Sequence, residues 1–451
     1  MAAAVEHTYE YPFASEVVAE AGGKRLRLAT SGARREHPHF FHGLLRQPRR
    51  LSDLLLALSL ISRTRFFLAP GMLSRILAAA DPVVTSGGER LRFEAFSVCC
   101  GVYARVDVHP EAMDGDWASH GTTNVDFNPP MRAALGRIGA TDRVGLTVGT
   151  DRVEISRGEE TVVERKVKLP MRWLKGFIEV QAYQSRLRLS LDLSADEMSR
   201  FLRSLPTQVA PGMAFAVAAG KGLRVSQRET AGAVPLGGAA RLRALSNILR
   251  HGRRVRVFTG DDGVSAWEVV TDDARFHLVL SPDAARGFSG EGQALDTLAR
   301  SDAHDAVGRV RAALRWQARL TPDALAAEAD VTPAAAASSL SVLGARGLVG
   351  FDVGEAAYFH RELPFDLELV EALQPRLLDA RKLVDEAGVR IVSDTAETAE
   401  AYVRGTGVEH RVRANGEDYR CTCPWFSRNQ GERGPCKHIL ALQIVREDGA
   451  R

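Results

Sequence analysis

The sequence predicts an α+β protein built from several domains. Strand-like runs dominate the first 300 residues, a helix-rich stretch occupies 305–387, and three of the five cysteines stand together near the C-terminus. A length of 451 residues suggests about three domains. With 45% apolar and 25% charged residues, the chain has ordinary globular composition and can bury a core. The expected division is 1–200 and 201–300 as β-rich, duplicated α+β domains, 301–390 as an α-rich domain, and 391–451 as a small terminal module.

Taken in order, Lys24 to Ala29 alternates charge with Leu26 and Leu28, the pattern of a half-buried strand. Leu51 to Ile61 is expected as a helix, with Ser52 and Asp53 near its start and Arg63 and Arg65 after its apolar face. His37, His39 and His42 have no cysteine or carboxylate pair beside them, so they are expected as solvated loop residues rather than metal ligands. Leu91 to Val98 and Gly101 to Val108 form strand-like runs around Cys99 and Cys100, which are expected to be buried in a strand. A short helix from Met131 to Ile138 precedes paired strands, Arg143 to Val148 and Arg152 to Ser156, joined through Gly149-Thr150-Asp151.

The pattern recurs at an offset of about 110 residues, which suits duplicated domains. Val234-Pro235-Leu236 leads into an expected helix from Ala239 to Leu249. A hairpin, Arg253 to Thr259 and Ser265 to Thr271, turns over Gly260-Asp261-Asp262-Gly263, and Phe276 to Leu280 adds a strand. This order of elements is similar to that of processivity-clamp domains. Between Lys221 and Gly260, nine Lys/Arg stand against one acid, Glu229. Arg250, Arg253, Arg254 and Arg256 are therefore candidates for phosphate contact, or the residues of a solvated face. No aromatics interleave with them to stack bases.

In the helix-rich stretch, Ala306 to Leu320 is one expected helix. Thr321-Pro322-Asp323 caps a second, and Thr332-Pro333 starts a third ending at Gly347. Leu348 to Phe351 and Ala357 to His360 then form a hairpin, and Pro364 to Glu386 a closing helix. Three helices and a hairpin resemble a winged helix. The third helix, however, offers Ala334 to Ala337 and Ser338-Ser339 where base readers use Arg, Asn or Gln. Residues 301–400 also hold ten Lys/Arg against seventeen Asp/Glu. A structural or interaction role is expected for this winged-helix-like segment.

The terminal stretch concentrates the chemistry. Cys421-Thr422-Cys423 is followed after a polar loop by Cys436-Lys437-His438, with Pro435 suited to a helix start and Ile439 to Val445 apolar enough to continue it. Residues two apart in extended chain face the same side, so each pair can offer two ligands to one ion. Three thiolates and an imidazole complete the tetrahedral N/S shell of structural zinc. The alternative, buried cysteines beside a surface histidine, leaves their clustering unexplained.

This CxC and CxH pattern, with Trp425 and Phe426 after the first pair and Ile439 to Leu442 after the second, resembles the SWIM zinc finger over roughly 400–447. The resemblance implies a ββα module on the strands Tyr402–Arg404 and His410–Arg413, a zinc cofactor, and DNA or protein interaction rather than catalysis; such modules occur in bacterial proteins too. Cys436→Ala is expected to unfold the module and leave the rest intact. Arg411 and Arg413 share a strand face, and with Arg428 and Lys437 they are the module's candidates for phosphate contact.

A net charge of only +3 gives no whole-protein argument for nucleic acid. DNA, RNA and protein all remain open as partners. The start of the chain lacks the pattern of a signal peptide, and the longest apolar run, Leu54 to Ile61, is too short to span a bilayer, so no membrane partner is expected. Close-spaced cysteines indicate a reducing, cytoplasmic setting. No nucleophile elbow or paired carboxylates emerge and no small-molecule substrate is identified, so no enzyme is expected; the alternative is an activity assembled in the first 300 residues from side chains distant in sequence.

Overall fold

The computed structural model describes residues 16–20, 23–27, 40–66, 82–88, 90–124, 127, 129–149, 153–156, 171–207, 213–220, 222–283, 287–288, 292, 294–299, 305–363 and 374–449. Helices and sheets are mixed, as expected, with several sheets ahead of a small terminal module. Among the described residues the largest sheet has eight strands, ordered Arg188–Ser194, Arg254–Thr259, Ser265–Val270, Ala274–Leu280, Val102–Val108, Arg90–Phe96, Val83–Gly87 and Gly121–Asn124. Its seam is the antiparallel pairing of Ala274–Leu280 with Val102–Val108, from Ala274↔Val108 through Leu280↔Val102. The sheet therefore runs unbroken across the position near residue 200 where a division was expected. A six-stranded sheet holds Gly145–Val148 and Val153–Ser156, and a three-stranded sheet holds Val234–Gly237.

Alternation gives the central strands one apolar and one charged face. Val102, Ala104, Val106 and Val108 join the main core together with Leu51, Leu54, Leu55, Leu58 and Ile61 of the Pro48–Arg63 helix. The opposite face carries Arg92, Glu94, Arg105, Asp107, Glu268, Arg275 and His277, all of them buried. The hairpin Val349–Asp352 and Ala357–His360 covers it. Asp352 meets Arg105 at 3.1 Å and Arg92 at 3.6 Å, Glu355 meets Arg90 at 2.8 Å and also pairs with Arg275, and Arg361 donates to Glu94 at 2.6 Å. Phe359 lies under Arg92, 4.1 Å from its ring centroid. Buried charges of this kind are tolerable only when paired, and the hairpin's acids supply the partners.

Several elements differ from expectation. The first helix starts at Pro48, and Asp53 does not cap it but accepts from Arg49, Arg250 and His251. Cys99 and Cys100 are buried, yet they sit in the turn between strands, where Cys100 takes φ +53°. The expected Ala239–Leu249 helix is two 3₁₀ segments, Ala239–Leu245 and Leu249–His251. The helix expected to reach Leu320 ends at Ala312; the chain then crosses to the hairpin, where Leu320 bridges Tyr358. Tertiary pairing overrides local periodicity there. His42 lies on the Phe41–Leu45 strand with Nδ1 2.7 Å from Thr147 Oγ1, so it is not a loop residue; His37 and His39 lie outside the described residues. The closing helix is described as Pro375–Asp385, and 364–373 lies outside the described residues. The Pro333–Ala345 helix matches its expected Thr332 cap, and Gly347 just beyond it takes φ +76°.

The terminal module has four strands rather than the two the resemblance implies: Val389–Asp394, Thr398–Arg404, Glu409–Asn415 and Asp418–Cys421, in that order. Ala399, Ala401, Val403 and Val412 form a core with Ile439, Leu440 and Leu442 of the Lys437–Gly449 helix. That core also includes Ile178, Leu295, Ala345, Leu377 and Ala380 from outside the module. The module therefore packs on helices outside it, and the expectation that its unfolding leaves the rest intact has to be measured against this shared cluster.

Candidate metal centre

The chain brings the four predicted ligands together at a strand end, a short helix and the terminal helix. Cys421 is the last residue of the Asp418–Cys421 strand, and Cys423 is the N-cap of the Pro424–Asn429 helix. The first pair is thus extended as expected, Cys423 keeping β backbone (φ −74°, ψ 151°) as the chain passes from strand to helix, and the intervening polar loop contains a helix. Gly431 and Gly434 take φ of +87° and +70°, conformations costly for other residues, and they turn the chain back so that Pro435 delivers Cys436. His438 follows in the first turn of the Lys437–Gly449 helix.

The ligand atoms of Cys421, Cys423, Cys436 and His438 all lie within 4.8 Å of one another. His438 Nδ1 faces the sulfurs, 3.9 Å from Cys421 and 4.0 Å from Cys436. Ligands around one tetrahedral zinc stand roughly 3.5–3.8 Å apart, so the cage is of the right size. All four residues are at most 7% exposed, which leaves no room for a water ligand. Donor type, number and spacing fit structural zinc.

Thiolates need hydrogen bonds as well as a cation. The Cys423 N–H donates to Cys421 Sγ at 3.4 Å, and the Phe426 N–H donates to Cys423 Sγ at 3.3 Å. Hydrogen bonding to Cys421 and Cys436 holds the Cys423 thiol well below its ordinary range. The bond with Cys423, reinforced by Cys436 and by burial, drives Cys421 far upward. At Cys436 the bond with Cys421 works downward but is outweighed by Cys423 and burial, leaving it at about 11. Three thiols this close cannot all ionise without a cation among them.

Arg376, in the Pro375–Asp385 helix, fixes the zinc loop. It donates to the carbonyls of Arg433 and Pro435, both at 2.8 Å, and its guanidinium lies 4.5 Å from the Trp425 ring centroid. Trp425 is half-buried and Phe426 is buried beside the cage. Nothing in the sequence near Arg376 marks it, because its partners lie about fifty to sixty residues away.

A second buried cluster, Asp107, His277 and Asp352, also brings three ligand atoms within 4.8 Å. Arg105 Nη2 already stands between the two carboxylates, 2.9 Å from Asp107 and 3.1 Å from Asp352. Burial acts to raise both carboxyls, and Arg105 overrides it to hold them below their ordinary range. A guanidinium fills the cation's place.

The arginine candidates are largely paired. Arg250 bonds Asp53 at 2.6 Å, and Arg253, Arg254 and Arg256 pair with Asp272, Asp192 and Glu268. Of the other five cations in that basic run, Arg241 is buried, donating to the carbonyls of Gly101 and Ser281. Arg411 and Arg413 do share a face, where both hold Glu400, at 2.8 and 3.0 Å. Lys437 faces outward, 3.2 Å from Asp379, and Arg428 is exposed.

Residues 410–445 match the family model of the SWIM zinc finger, and the Cys3His cage lies within that span. No curated protein matches the chain. Among solved structures, the chain is similar to the proliferating cellular nuclear antigen of Entamoeba histolytica, at 10% identity and a TM-score of 0.36 over 54% of this chain and 99% of that one. That likeness is too slight to bear on fold or function. Among the described residues no helix is long and apolar enough to cross a membrane.

Proposed function

We propose that the chain is a non-enzymatic, cytoplasmic zinc protein whose terminal SWIM finger is a rigid platform for a protein partner. The closed cage carries this reading: four buried protein ligands leave no open position on the metal for water or substrate. Zinc then supplies folding free energy and shape rather than Lewis acidity. Zinc-bound thiolates also suit a reducing compartment. We read the three helices and hairpin as a winged-helix-like structural element whose hairpin is committed to the sheet through Asp352 and Glu355.

A nucleic-acid partner is the second reading, favoured by exposed Arg428 and by the arginines on the open face of the terminal sheet. Their pairing with Glu400 weighs against it, since an arginine already neutralised displaces fewer counterions from a phosphate backbone. Fluorescence anisotropy with labelled duplex DNA, single-stranded DNA and RNA at low salt separates the two. The protein reading expects no saturable binding. Affinity falling linearly with salt on logarithmic axes would replace it with the nucleic-acid reading. Pull-down with and without nuclease then tells direct partners from bridged ones.

A further inference from the structure

Among the described residues the Asp418–Cys421 strand is an edge of the terminal sheet, bonded on one side only, to Glu409–Asn415. The Thr422 N–H donates to the Arg411 carbonyl at 3.1 Å. Main-chain groups along a paired edge strand alternate sides, so those of Arg420 face its partner strand and those of Tyr419 face away. Beyond this edge lies a groove of ≈ 500 Å³. Glu417, Asp418, Tyr419 and Arg420 all line it. Successive side chains on a strand point to opposite faces, so the three consecutive strand residues Asp418, Tyr419 and Arg420 reach one groove where it runs along the strand's open edge, with Glu417 of the preceding turn at its start. Phe426 and Ile439, both largely buried, also line it, as do Gly434 and Pro435 of the zinc loop.

The geometry points to this groove as a docking site for an extended peptide that adds a strand to the Asp418–Cys421 edge, an inference resting on the protein-partner reading above. Edge addition draws affinity from main-chain hydrogen bonds and specificity from side-chain contacts. Acids stand at the start of the edge, Glu417 and Asp418, and Arg420 towards its end; Arg186, which pairs with Asp262, also lines the groove. An antiparallel peptide complements that order with an acidic residue N-terminal to a basic one. The balanced lining argues against a polyphosphate backbone, which needs a cationic track. Asp418 and Arg420 pair with each other at 3.3 Å while 62% and 77% exposed, and an ion pair that exposed exchanges partners at little cost.

The test is selection of a displayed random decapeptide library on the full-length, zinc-loaded protein, followed by titration of a selected peptide against Tyr419→Ala and Tyr419→Pro. Both variants lose the ring, but only the second loses the outward N–H. Proline is tolerated on an edge strand where no ladder bond is required. Stoichiometric zinc in both variants verifies that the module is folded. Peptides with an acidic-to-basic order should be enriched, and Tyr419→Pro should weaken them about tenfold or more relative to Tyr419→Ala. Equal binding to the two variants, or no enriched peptide, overturns the proposal, and so does dimerisation of the wild type that Tyr419→Pro abolishes, which would make a second copy the occupant. A lost groove with a nuclease-resistant protein partner still captured leaves the broader reading standing, so the two failures are distinguishable.

Discussion

Removing one zinc ligand should disturb the protein well beyond the finger. Cys436→Ala leaves two thiolates and an imidazole, and the expected loss of zinc affinity exceeds the 10–100-fold typical of a disturbed second shell. Structural zinc contributes about 10–16 kcal/mol of apparent binding free energy in small fingers, so the module should unfold. Its helix buries Ile439, Leu440 and Leu442 in the same core as Ile178, Leu295 and Leu377. At about 1.5–3 kcal/mol for each large aliphatic side chain, uncovering the last three costs the body on the order of 5 kcal/mol. That is comparable with the whole stability of a modest domain, about 5–15 kcal/mol. Hydrogen exchange followed by mass spectrometry is the assay, with zinc content measured in parallel. Protection should fall over 398–449 and also over Pro375–Asp385 and Ala294–Ala299. Unchanged protection in the Pro375–Asp385 helix while 410–445 exchanges freely would refute the shared-core reasoning.

Arg376→Ala should weaken zinc binding about tenfold without removing a ligand, by freeing the loop carbonyls of Arg433 and Pro435; chelator competition reads it, and Arg376→Lys should not rescue. Asp352→Ala should destabilise the fold by about 3–5 kcal/mol in denaturant titration, because Arg92, Arg105 and Arg275 lose a buried counter-charge. Since the folded Asp352 and Asp107 carboxyls titrate below their ordinary range, their stabilisation is present above about pH 4 and is lost as pH falls through the lower folded values. Melting temperature should therefore drop steeply below about pH 4 in the wild type and less steeply in Asp352→Asn. Glu400→Gln should release Arg411 and Arg413 and steepen the salt dependence of any nucleic-acid binding by about one to two counterions.

The zinc cage was legible in the sequence because its determinants are local. Three cysteines and a histidine within eighteen positions admit few geometries that do not bring them together, and Pro435 marks the helix start that orients the second pair. The local caps were equally readable: Thr321 and Thr332 accept from the backbone N–H groups of Ala324 and Ala335. What escaped was set by contacts distant along the chain. Leu320 leaves a helical pattern to bridge Tyr358, and Arg376 reaches a loop it does not resemble in any sequence feature. The extended Cys421–Cys423 pair was readable from its spacing, but the short helix that Cys423 caps through its sulfur was not, because cysteine is not among the usual cap residues.

Counting charges in a sequence window fails here for a physical reason that also bears on function. Arg250, Arg253, Arg254 and Arg256 lie in a run with a single acid, yet each meets a carboxylate brought in from elsewhere: Asp53 from the first helix, Asp272 from a hairpin end, Asp192 and Glu268 from the two flanking strands. Antiparallel pairing places residues of different segments opposite one another, so a strand rich in one sign is often matched by a neighbour rich in the other. The hairpin does the same on a larger scale, since the acids that seemed to bar it from DNA are the partners of buried arginines in the sheet. A charged run in a β-rich chain is therefore evidence for a phosphate-binding face only after the register is known. Here the register holds Arg250 and Arg256 on the buried carboxylates of Asp53 and Glu268, whereas Arg253 and Arg254 stand in exposed pairs that exchange partners at little cost.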